Sequence, residues 1–317
     1  MVVYLSDNDV RSLVTVDEAF TVTDALFQDA AQGHVDNHPT TELNVPKGFF
    51  RLKAGTALGL DVYGFKAYGG VARAGRYLVF VYTMSTGVLE GIVEARFLTE
   101  IRTGAVSAVG TKYLANPGGS TLGIIGTGRE ARAQLTAMHH IRPLTKVRAY
   151  SRSAEKRETY AKEMTERLGV EVTPVATAEE AIRGMDLVVT ITSTSEPVLS
   201  GGWLADGCHI SAVGATTPER RELDVASFER ASVVAVEHMP QAMAELGEIQ
   251  EAVKQGRFSW DRVCELGDII GGKTKGRTAP NQITIFDTIG VGTEDVAIAS
   301  YALKKARDAG LGVTLAM

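Results

Sequence analysis

The segment Thr121 to Ser153, TLGIIGTGREARAQLTAMHHIRPLTKVRAYSRS, constrains this chain more than any other stretch, because its residues read as strand, tight turn, helix and strand. Thr121 to Ile125 is an apolar run of strand length, Arg129 to about His140 is a helix, and Val147 to Tyr150 is a second strand. Gly126-x-Gly128-x-x-Ala131 stands between the first strand and the helix. Gly126 permits a sharp turn, Gly128 lets a pyrophosphate approach the backbone, and Ala131 lets the helix lie close to the sheet. The first N–H groups of the helix and its positive dipole end then face that phosphate. The pattern predicts a dinucleotide-binding βαβ unit.

The end of the second strand predicts which dinucleotide. An Asp or Glu there would bond the ribose 2′-hydroxyl of NAD, but this chain has Ser151-Arg152-Ser153, followed by Lys156 and Arg157. A guanidinium and two hydroxyls suit a 2′-phosphate, so NADP(H) is expected. The competing reading makes Ser153 a helix cap and the basic residues a solvated face.

A chain of 317 residues has room for two domains with their own cores, and a net charge of −5 gives no hint of nucleic acid. The two cysteines, Cys208 and Cys264, are too few and too far apart for a disulfide framework or a cysteine metal site. Packing roles and a reducing cytoplasm are the simplest expectation, with no metal. No stretch approaches the ~18 apolar residues of a membrane span.

Ahead of the glycine turn, Ser6-x-x-Asp9 and Thr15-x-x-Glu18 read as capping boxes, the second leading an amphipathic helix to Gly33. From Asn37 to Gly91 the pattern becomes short strands, at Phe49–Leu52, Tyr63–Tyr68 and Arg76–Thr83, which suggests an α+β unit. Lys66 lies in the apolar run GFKAYGG, where a buried ammonium would need an anion or a cleft unless it faces water at a sheet edge. Arg51 and Lys53 alternate with apolar neighbours as on the wet face of a sheet. Glu94 to Leu114 reads as helix, break and helix with Arg102 and Thr103 at the joint, and Asn116-Pro-Gly-Gly ends the domain.

After the βαβ unit, strands at Leu187–Thr192, His209–Val213 and Val233–Val236 alternate with helical patterns, as in a doubly wound parallel sheet. Ligands of such sheets sit outside the carboxyl ends of the strands, so Thr192–Thr194, Val213, Gly214, Thr216 and the glycine turn should line one crevice. Thr293 is expected to cap a last helix carrying Glu294 and Asp295 in its first turn and ending near Ala309.

In order and spacing, GFKAY, EARFLTEIRTGAVSAVGTKYLA, TLGIIGTGREARAQL, HISAVGATTPERRELD and FDTIGVGTEDVAIA resemble the ornithine cyclodeaminase and mu-crystallin family over nearly the whole chain. The resemblance implies a homodimer with residues 1–118, completed by 294–317, as an α+β substrate-binding and dimerisation domain, and 119–293 as an inserted Rossmann domain. It implies that Lys66 is the active-site lysine and that Arg102 contacts substrate carboxylate and cofactor. Arg129 and Glu130 match the glycine-turn contacts, Ser151 the ribose position, Val213 to Thr216 the loop beside nicotinamide, and Thr288 and Ile289 a late loop closing over nicotinamide and substrate.

Two departures sharpen the expectation. Thr216 stands where the cyclodeaminase has its proposed acid/base aspartate, which argues against cyclodeaminase (lyase) chemistry and toward NADPH-dependent ketimine reductases. Asn37-His38-Pro39-Thr40 replaces an HPR-like motif whose arginine binds a carboxylate, leaving Arg51 or Lys53 as a substitute anchor and His38 as a cleft donor or a turn residue. The expected activity is NADPH-dependent reduction of a C=N bond, with Arg51, Lys53, His38, Thr216 and Ile289 at the substrate. Gly126, Gly128, Arg129, Glu130, Ser151, Arg152, Ser153, Arg157, Thr192, Val213, Gly214 and Thr288 are expected at the cofactor. An amino-acid dehydrogenase using a 2-oxo acid and ammonia, and a non-catalytic NADPH-binding protein, are the alternatives.

Overall fold

The computed structural model describes residues 2–71 and 75–316. The chain divides into two compact units, Met1–Val106 with Gly290–Met317, and Ser107–Ile289.

In chain order the first unit holds β1 (Val2–Leu5), α1 (Asp7–Leu13), α2 (Val16–Ala31), β2 (Val35–Leu43), β3 (Gly48–Ala57), β4 (Val62–Val71), β5 (Tyr77–Thr83) and β6 (Leu89–Glu94). The helix α3 (Arg96–Leu114) follows, and the division between the units falls inside it, ahead of the Asn116-Pro-Gly-Gly turn. The second unit contains β7 (Thr121–Ile125), α4 (Arg129–Ile141), β8 (Lys146–Tyr150), α5 (Ala154–Leu168), β9 (Val172–Pro174), α6 (Ala178–Ile182), β10 (Leu187–Thr190) and β11 (His209–Ala212). It continues with α7 (Val225–Arg230), β12 (Ala231–Val236), α8 (Met239–Glu245), α9 (Gly247–Lys254), β13 (Val263–Glu265), α10 (Leu266–Ile270) and β14 (Ile283–Asp287). The chain then returns to the first unit as α11 (Gly292–Ala309) and β15 (Val313–Leu315).

The second unit is built on an eight-stranded sheet, β13-β12-β14-β11-β10-β7-β8-β9, in which every pairing is parallel. Strand order reverses between β7 and β10, and that reversal opens a crevice at their carboxyl ends. Small residues and caps place α4 and α5 as the sequence requires: Ala131 is fully buried, Ser153 accepts the Lys156 N–H, and Gly169 ends α5 in the left-handed region.

The first unit is a seven-stranded sheet, β15-β1-β6-β5-β4-β3-β2, antiparallel except for the β1–β6 pair. Both N-terminal capping boxes form, Ser6 with Asp9 and Thr15 with Glu18. The buried helix α11 packs on β3, β4 and β5, and its Val296, Ile298, Ala299, Ala302 and Leu303 join Val62, Val79 and Val81 in the core.

Several expectations are corrected here. α3 is one continuous helix with no break at Arg102 and Thr103, because Thr99 and Thr103 return their hydroxyls to the carbonyls of Ala95 and Thr99 and stay compatible with helix. His38 is no turn residue, since Asn37 to Thr40 lie in β2, an edge strand where Pro39 deprives no neighbour and where the register shifts between His38 and Thr41. Lys53 is not on a wet face, because Lys53, Gly55 and Ala57 form the buried side of β3. Thr293 does not cap α11: the helix starts one residue earlier, and Thr293 donates from N–H and hydroxyl to Asn37 Oδ1 at 3.1 and 2.9 Å. Among the described residues no helix is long and apolar enough to cross a membrane.

Candidate active site

In the second unit, a cavity of 730 Å³ opens at the carboxyl ends of β7, β8, β10 and β11. Its floor is the glycine turn. Gly126 has φ +114°, and a Cβ there would lie 2.2 Å from the Ile191 carbonyl oxygen, so no other residue fits. A Cβ on Gly128 would meet no protein atom within 4 Å, which leaves that side open to a ligand. Arg129 and Glu130 begin α4 at the cavity wall.

The wall after β8 carries Ser151, Arg152, Ser153 and Lys156 and no acid, and the Ser151 hydroxyl is held by the Thr127 hydroxyl at 2.9 Å. Arg157 is outside the lining and braces the loop, donating to the Ser151 carbonyl at 3.0 Å with its guanidinium over Tyr150. Across the cavity stand Thr192, Ser193 and Thr194 after β10, then Val213, Gly214, Thr216 and Arg220 after β11. Thr288 and Ile289 are buried at 2% exposure each and do not line this cavity; Ile289 instead donates its N–H to Glu237.

The first unit gathers charge beneath its sheet. Lys53 and Lys66 are directly opposed in the antiparallel β3–β4 pair, on the face that α11 covers. Like charges so placed repel, and the start of α11 answers them. Lys66 Nζ lies 2.7 Å from Asp295 Oδ2, and Lys53 donates to the Gly290 carbonyl at 2.6 Å. Arg102 reaches from α3 to both acids, Nη1 to Glu294 at 3.1 Å and Nε to Asp295 at 3.3 Å. The close approach of α11 depends on Gly55, where a Cβ would stand 2.5 Å from the Thr293 methyl.

These side chains are all less than one-tenth exposed. Burial, together with the positive charges of Arg102 and Lys53, pulls the Lys66 ammonium down to about 8, although Asp295 opposes the change. Burial alone would raise Asp295, but the charges of Lys66 and Arg102 hold it below the usual carboxylate range. The result is a lysine that can give and take a proton near neutral pH.

Residues 2–310 match the ornithine cyclodeaminase/mu-crystallin family. The chain belongs to that family. It is 33% identical to a Delta(1)-pyrroline-2-carboxylate reductase of Bacillus cereus, over 97% of this chain and 98% of that one. Among solved structures, the Thermococcus litoralis Delta(1)-pyrroline-2-carboxylate reductase in complex with NADH and L-proline superposes with a TM-score of 0.93 at 29% identity, covering 99% of this chain and all of that one. An archaeal alanine dehydrogenase dimer with bound NAD gives 0.93 at 29% identity and 99% coverage of both chains.

Of the residues expected from sequence, the cavity collects all the cofactor candidates except Arg157 and Thr288, and it takes in Thr216 as well. Lys66, Arg102 and Lys53 come together in the first unit, whereas Arg51 turns to Glu42 at 2.7 Å and His38 is exposed with its ring on the Pro39 carbonyl. Sequence reasoning missed Glu294 and Asp295 as partners of the cations, having read them as dipole-matching first-turn acids. Two acids beside a helix start, with lysines set in apolar runs on distant strands, was the available signal.

Proposed function

We propose that this protein is an oxidoreductase that reduces a C=N bond with a nicotinamide dinucleotide, NADPH in preference to NADH, giving an amine or amino acid. The observation that carries the reading is Lys66: a buried lysine held 2.7 Å from Asp295 beside Lys53 and Arg102, where burial lowers its proton affinity from that of an ordinary lysine. Reduction of an imine needs one hydride on carbon and one proton on nitrogen. When bound, the dinucleotide supplies the hydride. Lys66 holds the proton and gives it to the imine nitrogen, which makes the carbon a better acceptor.

Lys53, Lys66 and Arg102 bring three cationic side chains together, a set that would suit a substrate carboxylate. The glycine turn and the start of α4 would hold the pyrophosphate, and Arg152 with Lys156 the 2′-phosphate. Thr216 in place of an acid gives no group for amine elimination, which speaks against a cyclodeaminase.

The test is NADPH and NADH oxidation against cyclic and acyclic imines, with and without a carboxylate. Reduction of a carboxylated imine such as Δ1-pyrroline-2-carboxylate is expected, and turnover of none would refute the reading. The likeness to alanine dehydrogenase keeps a second reaction in view, reductive amination of a 2-oxo acid, because both reactions pass through an imine. Pyruvate with ammonia separates the two.

The protein would act as a homodimer through the sheet face opposite α11, where half-buried Phe65 and Phe80 stack at 4.8 Å and Tyr63 and Tyr82 at 5.0 Å. Light scattering should give twice the 33.9 kDa chain mass, and Phe65→Glu should lower it to one.

A further inference from the structure

We propose that Glu222 is a positioning residue for the dinucleotide: its buried carboxylate ties the loop after β10 to the loop after β11 and so sets the shape of the cavity wall. Glu222 is fully buried and does not line the cavity. Its Oε1 accepts the Thr192 N–H at 2.5 Å and the Thr192 hydroxyl at 2.6 Å, while Oε2 accepts the Gly214 N–H at 2.7 Å. Thr192 and Gly214 both face the cavity, so one carboxylate holds two separate wall segments in register.

The clamp is itself clamped. The Glu222 carbonyl accepts the N–H groups of Val198 at 2.8 Å and Leu199 at 3.0 Å. Glu248 Oε2 accepts those of Glu222 at 2.5 Å and Leu223 at 3.1 Å. The two loops also meet without room for a side chain, since a Cβ on Gly214 would lie 2.0 Å from the Thr192 carbonyl oxygen and 2.7 Å from Glu222 Cδ. A carboxylate is required because three donors converge on its two oxygens. A carboxamide of the same shape must turn its NH₂ toward either the Thr192 or the Gly214 N–H, and loses one tie.

This inference rests on reading that cavity as the dinucleotide site, and the experiment separates the two. NADPH and NADH affinities of the full-length protein are titrated by nucleotide fluorescence for the unmodified chain, Glu222→Gln and Glu222→Asp. Thermal melts confirm folding, and the imine KM is taken at saturating cofactor. Glu222→Gln should weaken cofactor binding about tenfold or more and leave the imine KM within about twofold. Glu222→Asp, which keeps the charge but spans only one loop, should fall between and decides the matter if the Gln variant does not fold. Unchanged cofactor affinity in a folded variant, even with a lowered melting temperature, would overturn the positioning role. Failure of the unmodified chain to bind either nucleotide would instead overturn the cavity reading.

Discussion

Lys66→Met is the sharpest probe of the proposed chemistry, because methionine keeps most of the side-chain volume and removes only the exchangeable proton and its charge. A lysine ordinarily loses its proton near 10.5, but Lys66 does so at about 8. That difference corresponds to roughly 3 kcal/mol of cost for holding the charge in the folded state. The sign follows from proton counting: between pH 8 and 10.5 the unfolded chain still holds this proton and the folded chain has released it, so this residue's cost to stability fades as pH rises through that window. In the reductive direction Lys66 must be protonated, and kcat/KM should fall above about pH 8. In the oxidative direction it must be neutral, and the rate should rise over the same range.

Loss of a positioned proton donor costs about 10²–10⁴-fold, so Lys66→Met should lower kcat by that factor and abolish the limb near pH 8. Asp295 keeps Arg102 at 3.3 Å, so the change in stability should stay below the ~3–5 kcal/mol of a fully orphaned buried charge. Steady-state NADPH oxidation from pH 6 to 10, with chemical denaturation at the same pH values, measures both. Retention of kcat/KM within about tenfold of the unmodified enzyme, with the same pH limb, would refute the role of Lys66.

Three further outcomes are expected. Arg152→Asp should shift the NADPH-to-NADH ratio of kcat/KM toward NADH by at least about tenfold, and an unchanged ratio would sink the 2′-phosphate assignment. Burial and the neighbouring Glu222 push Glu248 up to about 8, so between its ordinary value and that one the folded state holds a proton the unfolded state has lost, and stability declines as pH rises. Glu248→Gln, neutral at every pH, should therefore melt like the parent near pH 4, pull ahead of it as pH rises, and at pH 9 melt about 2–4 °C higher for each kcal/mol relieved; a difference from the parent that does not grow with pH would count against this. Gly126→Ala should abolish detectable nucleotide binding in titration calorimetry, because its Cβ has no space beside the Ile191 carbonyl and its φ is positive. Binding as tight as the parent's would contradict that geometry.

How far the sequence could be read depended on whether the deciding interaction was local. The β7 turn, α4 and α5 were legible, because Gly126, Ser153 and Gly169 act through their own backbone or within one turn. The strands β1 and β6 and the edge strand β15 carry little signal of their own, and β1 and β15 exist through pairing with partners far along the chain. Pro39 misled for the same reason: a proline reads as a turn unless the sheet leaves its strand at an edge. Thr99 and Thr103 hid the continuity of α3, because their backward hydrogen bonds cannot be seen before the helix exists.

The site divides along the same line. The sequence by itself determined a dinucleotide-type glycine turn, a basic end to β8, a lysine in an apolar strand and the absence of an acid at Thr216, since each is a property of residue type and short-range order. Only the tertiary structure decided that Lys66 stands opposite Lys53, that Asp295 and Glu294 meet these cations and Arg102, and that Glu222 ties two loops together. Those relations join residues on separate elements, and the proton affinity of Lys66 follows from the burial and charges they create.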